Sequence, residues 1–118
     1  VYRVPKFKWK RGAALSVAGL SLTACNPHYA IQRYFPTEQE TAHRVVQCES
    51  GYDVNAVSPT NDHGLFQING TTWNKPGHSD PVADWIGRHW HLRFDPEINA
   101  QMAKKIRDKY GWKMWSCY

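Results

Sequence analysis

The sequence predicts a small, mostly α-helical domain with one short hairpin or loop region lining a cleft. Three observations carry this. Asp80-Pro81 and Asp95-Pro96 each put a capping side chain before a proline at the first helical position. Apolar residues then recur at helical intervals: Val82, Trp85 and Ile86, and later Ile98, Met102, Ile106 and Tyr110, closed by Gly111. By contrast, residues 53–63 are rich in Asn, Asp, Ser and Pro, which reads as irregular structure or a short hairpin.

Taken in order, the first clear helix opens at Thr37-Glu38-Gln39-Glu40, a capping box with Thr37 as N-cap and Glu40 three residues on. Ala42, Val45 and Val46 form its apolar stripe, and Gly51 suits the left-handed residue that ends it. After the loop comes Gly64-Leu65-Phe66-Gln67-Ile68, a compact apolar run around one amide. Thr71-Thr72-Trp73 opens a short helix, and Lys75 to Pro81 is rich in turn residues. The two proline-started helices follow, then an aromatic tail from Gly111 to Cys117. There is no internal repeat.

The first 24 residues are of another kind. Tyr2 to Arg11 is basic, Ala13 to Leu22 is small, apolar and uncharged, and small residues follow. That order describes a secretory signal peptide. The apolar run is about half the ~20 residues that a membrane-spanning helix needs. Leu22-Thr23-Ala24-Cys25 resembles a bacterial lipobox. The resemblance implies cleavage before Cys25, a lipid on Cys25 and a membrane-tethered protein at the cell envelope. The competing reading is a core helix with a buried cysteine. Asn26 to Pro36 reads as a polar linker, so the expected organisation is a signal over 1–24, a linker over 25–36 and a folded domain over 37–118.

The net charge of +5 belongs to that first segment, which holds Arg3, Lys6, Lys8, Lys10 and Arg11 and no acid. The remaining residues carry 10 bases and 10 acids, so the folded part is formally neutral and a nucleic-acid partner loses its support. Among the histidines only His89 and His91 are close. There is no His-Glu-x-x-His and no paired-cysteine spacing, so no metal or other cofactor is expected. Three cysteines leave one over. If Cys25 takes a lipid, Cys48 and Cys117 remain to pair in an oxidising compartment; two free buried thiols are the alternative.

Glu49 is the residue that suggests chemistry. It continues the stripe of Ala42, Val45 and Val46, so helical geometry turns it toward the core, at the helix C-terminus. Burial and the negative end of the helix dipole both raise a carboxyl pKa and keep a proton available. A general acid for glycosidic cleavage needs that, and its activity falls as pH rises through the raised pKa. A Glu bonded to Arg, Tyr or Trp groups fits the position equally well.

The surrounding motifs separate the two. Cys48-Glu49-Ser50-Gly51-Tyr52, Asn55-Ala56-Val57-Ser58 and Gly64-Leu65-Phe66-Gln67-Ile68-Asn69 resemble, in order and spacing, the lysozyme superfamily, and most of all bacterial and phage lytic transglycosylase domains. The resemblance extends to Phe94-Asp95-Pro96-Glu97-Ile98-Asn99 and the Trp-Ser-Cys ending, over roughly residues 37–118. It implies a small lysozyme-like α(+β) fold. It makes Glu49 the acid/base, with Ser50, Gly64, Gln67, Asn69 and Tyr110 as the substrate-binding set. Ser50 would sit behind Glu49 or touch substrate, Gly64 would let backbone approach sugar, Gln67 would bond an N-acetyl or hydroxyl group, and Tyr110 would stack on a pyranose face. For Gln67 the competing reading is a plain strand residue, and for any one tryptophan it is core packing.

Asp62 opens a second question. Asp62-His63-Gly64-Leu65-Phe66-Gln67-Ile68-Asn69 resembles the run that supplies the second carboxylate in animal-type lysozymes. The stretch from Glu49 to Asp62 is shorter than theirs, and a turn residue is the competing reading. The expected function is therefore cleavage of peptidoglycan strands between N-acetylmuramic acid and N-acetylglucosamine by lytic transglycosylation, in a monomer. The alternatives are a hydrolytic muramidase using Glu49 and Asp62, and a tethered, non-catalytic peptidoglycan-binding protein. An intact Glu49 argues against the last, since a binder has no use for a costly buried acid.

Overall fold

Asn and Asp caps followed by proline start three of the five α-helices in the structure, a computed structural model that describes residues 26–118. The expected signal segment and the lipidation of Cys25 lie outside the described residues. The helices are α1 (Pro27–Tyr34), α2 (Gln39–Glu49), α3 (Gly70–Trp73), α4 (Pro81–Arg88) and α5 (Pro96–Tyr110). Single 3-10 turns follow α4 and α5, at Trp90–Leu92 and Trp112–Met114. Strands β1 (Asp62–His63) and β2 (Ile68–Asn69) pair antiparallel, with Asp62 opposite Asn69 and His63 opposite Ile68. This is the mostly α arrangement with a small hairpin that the sequence predicts.

Two expectations are corrected. Residues 27–34, assigned to a linker, are α1. Asn26 accepts from the His28 (2.8 Å) and Tyr29 (3.3 Å) amides, and Pro27 occupies the first turn. Ala30 and Ile31 are fully buried, so a short apolar patch on a polar segment is enough to dock it on α5. The second correction is the start of α2. Thr37 lies in a turn closed by the Glu38 amide donating to the Phe35 carbonyl (3.0 Å), and α2 begins at Gln39 with Glu38 as N-cap. No side chain caps it, because the Glu38 carboxylate is engaged elsewhere: Arg107 donates to it at 2.6 Å and the Trp112 indole at 3.4 Å. The Arg107 bond holds the Glu38 carboxyl below its ordinary pKa.

The other boundaries fall where the residue chemistry puts them. Asp80 accepts from the Val82 amide (2.9 Å) and Asp95 from the Glu97 amide (2.8 Å). Gly51 follows α2 at φ +63° and donates to the Val46 carbonyl, and Gly111 ends α5 at φ +86°. The run Gly64 to Gln67 is the turn between the strands. It faces inward because Leu65 and Phe66 are fully buried, joining Ile31, Phe35, Val45, Val46, Met102 and Ile106 in one core. No described helix is long and apolar enough to cross a membrane.

Candidate functional site

Glu49 is the last residue of α2 and is 1 % exposed. It borders a cavity of about 50 Å³ whose other polar lining is Asp62, Gln67 and Asn69 from the hairpin. Trp73 of α3, Ile106 of α5 and Met114 and Trp115 of the tail supply apolar walls. One helix end, one hairpin and one tail thus converge on two carboxyl groups.

The tail is fastened here covalently. Cys48 and Cys117 are joined by a disulfide with a Cα–Cα distance of 6.0 Å, across 69 residues of sequence. Because Cys48 precedes Glu49, the bond draws the tail backbone over that carboxyl, and the Cys117 amide donates to Glu49 Oε2 at 3.3 Å. The Trp115 indole donates to the Phe66 carbonyl at 2.8 Å, which ties the same tail to the hairpin turn.

Asp62 is 4 % exposed and well supplied with donors. Its Oδ2 accepts from the Ser58 (2.7 Å) and Thr60 hydroxyls, and its Oδ1 from the Asn69 amide (2.9 Å). Such a set suits an ionised carboxylate, since three donors offset much of its lost hydration. Asn69 also caps α3, where its Oδ1 accepts from the Thr72 amide at 2.8 Å. The residue thus couples the carboxylate to the helix that carries Trp73.

Gln67 adopts φ +54° and is 4 % exposed. Its Nε2 donates to the carbonyls of Ala56 (3.2 Å), Asp62 (3.3 Å) and Gly64 (3.2 Å), so the amide braces the hairpin from inside while lining the cavity. Ser50 is fully buried behind Glu49, donating to the Leu65 carbonyl at 2.7 Å. That bond ties the end of α2 to the hairpin turn.

Two expected site residues lie elsewhere. Tyr110 does not border the cavity; its hydroxyl donates to the Asp80 carboxylate, and its ring packs against Trp73 with centroids 5.5 Å apart. The Tyr110 bond is the chief cause that lowers the Asp80 pKa to about 2. Gly64 does permit a close approach, but of protein. A Cβ on it would meet Asn99 Nδ2 at 2.4 Å and the Arg93 carbonyl at 2.7 Å, on a backbone at φ +80°.

Asn99, which no motif singles out on its own, is the organiser of this side. It is fully buried on α5. Its Oδ1 accepts from the Phe66 amide (2.7 Å), and its Nδ2 donates to the carbonyls of His63 (3.0 Å) and Arg93 (2.9 Å). The signal was an Asn next to the apolar stripe of a helix, where a buried amide must find partners. Gly64→Ala is accordingly expected to cost roughly 2–4 kcal/mol, from overpacking plus a left-handed backbone. A urea titration checks this. A loss under ~0.5 kcal/mol, the usual bound for a surface change, would mean that the Asn99 contact is not tight.

A model of the transglycosylase SLT domain matches residues 29–111, from α1 through α5 and well over half of the chain. The chain belongs to that family. Its SLT domain is also similar in sequence to two insect lysozymes. Identity is 31 % over 85 residues with lysozyme 1 of Musca domestica and 30 % over 81 residues with lysozyme P of Drosophila melanogaster. In both cases the match covers 63 % of this chain and 57 % of the relative, so the SLT chain spans little more than half the length of these proteins. Alpha-lactalbumin of Bos mutus grunniens is 34 % identical over 71 residues, or 56 % of this chain and 50 % of that protein. No solved structure gives a significant match.

Proposed function

We propose that this SLT domain cleaves the glycan strands of peptidoglycan between N-acetylmuramic acid and N-acetylglucosamine, with Glu49 as general acid and Asp62 as a second carboxylate. The observation that carries the reading is Asp62 itself, buried on the same cavity as Glu49 and held by Ser58, Thr60 and Asn69. Glu49 gives its proton to the glycosidic oxygen as the bond to C1 breaks, and the Asp62 anion stabilises the positive charge that develops on the sugar. Water then completes hydrolysis, returning a proton to Glu49. Membership of the SLT family and the similarity to lysozymes support the substrate class.

Lytic transglycosylation is the second reading, favoured by the family match: the muramoyl hydroxyl attacks in place of water and yields a 1,6-anhydro product. Either reaction places the domain at the cell wall, and a lipid on Cys25 would hold it near the membrane as a tethered monomer.

Mass spectrometry of digested peptidoglycan separates the two. Hydrolysis gives hydrated reducing ends, with a rate that falls on the order of 10²-fold in Asp62→Asn, the usual scale for losing one charge-stabilising group. Anhydro ends at an undiminished rate in that variant would establish the second reading and remove Asp62 from the chemistry. No cleavage at all would leave a glycan-binding domain.

A further inference from the structure

We infer that Met114 is a substrate-contact residue, an apolar lip on which the C–H face of a sugar beside the scissile bond rests. This rests on the glycan-cleaving reading above and is indifferent to whether hydrolysis or transglycosylation follows. The match to the family model ends at Gly111, so likeness to the family gives Met114 no role. Its placement follows from the tail. Trp112 and Trp115, three positions apart across the 3-10 turn Trp112–Met114, are both buried, which turns the two residues between them outward. Lys113 has the polar side chain such a position calls for. Met114 is apolar and 44 % exposed. Val57, Leu92 and Tyr118 are the other exposed large apolar side chains among the described residues, and a scattered few are ordinary. Met114 alone of these four borders the cavity that Glu49 and Asp62 line.

The lining of that cavity is of two kinds. Asp62 and Asn69 of the hairpin present polar groups. Trp73, Ile106 and Trp115 form a buried apolar wall, and Met114 is its exposed member. A pyranose is divided in the same way, with hydroxyls around its edge and C–H bonds on its faces. A sugar whose edge bonds the hairpin has a face left for the tail. A thioether is unbranched and polarisable, so it follows an uneven ring surface at little cost in strain. The disulfide and the Trp115–Phe66 bond hold the tail, so the lip is in place before a strand arrives. Such a contact is made in ground state and transition state alike, so it governs binding and not the chemical step.

Steady-state kinetics on soluble glycan strands test this, with cleaved bonds counted by mass spectrometry whichever end they carry. Met114→Ala is expected to raise KM roughly three- to tenfold with kcat unchanged, the worth of burying about half a methionine side chain. Met114→Leu, of similar volume, should keep KM within about twofold. Dilute hydrogen peroxide supplies a second arm that needs no variant to fold. The peroxide O–O bond breaks, one oxygen adds to a methionine sulfur, water leaves, and a polar sulfoxide replaces the thioether. Met102, the other methionine, is fully buried, so oxidation falls on Met114, which peptide mass spectrometry checks. The oxidised protein should show the same rise in KM, reversed by methionine sulfoxide reductase, and Met114→Leu should be insensitive to peroxide. An unchanged KM in Met114→Ala and in the oxidised protein, or a loss confined to kcat, overturns the inference and leaves Met114 a bystander or a support of the cavity. No cleavage by the unaltered protein would instead overturn the reading beneath it, and the inference with it.

Discussion

Glu49→Gln is expected to slow glycan cleavage on the order of 10²–10⁴-fold, the usual contribution of a positioned general acid. The same change should move folding stability by less than about 1 kcal/mol. The two effects separate because of what Glu49 touches. Its Oε2 accepts from the Cys117 amide, and a glutamine carbonyl of the same shape can accept that bond. What the amide cannot do is deliver a proton to a leaving oxygen. Glutamine also removes a charged form from a site that is 1 % exposed, which relieves a desolvation cost. Turbidity clearing of a peptidoglycan suspension, beside a thermal melt, reads both quantities. Near-normal clearing by a well-folded Glu49→Gln variant would remove Glu49 from the mechanism.

Removal of the Cys48–Cys117 disulfide in the double variant Cys48→Ala, Cys117→Ala should cost about 4 kcal/mol, on the chain-entropy model for a loop of this length. Domains of this size have total stabilities of roughly 5–15 kcal/mol, so the protein keeps its fold only in part of its former range. The loss should not stop at stability. The bond fastens the residue before Glu49 to the residue whose amide meets Glu49, so releasing it frees a donor from the carboxyl. Turnover measured well below the midpoint of the melt should therefore also fall. A variant that is destabilised yet turns over normally once folded would show that the Cys117 amide does not serve the carboxyl.

Much of this was legible in the residues. The starts of α4 and α5 follow from Asp-Pro pairs, the end of α5 from Gly111, and the end of α2 from Gly51. Each depends on chemistry within one turn of chain. The same local signal, Asn26 followed by Pro27, announces α1, but a polar segment after an expected lipid site reads as a tether. Thr37 shows the opposite error. The capping pattern was present, but the real start is set by Arg107 and Trp112, about 70 residues away, drawing on Glu38. At the candidate site, the burial of Glu49 follows from the apolar stripe that it continues. The orientation of the Gln67 amide, the wedge of Asn99 against Gly64 and the displacement of Tyr110 toward Asp80 depend on contacts between distant segments, which no spacing rule reports.

The tail's part in the site has a bearing on the cell that makes the protein. Trp115 forms a wall of the cavity and Cys117 supplies a contact to Glu49, so a chain translated only as far as α5 holds both carboxyl groups yet lacks one side of their enclosure. The last contact also depends on an oxidised cysteine pair, which reducing cytosol disfavours. Under the proposed function, a chain that is reduced or lacks its last turn is therefore expected to cleave glycan more slowly than the complete, oxidised one.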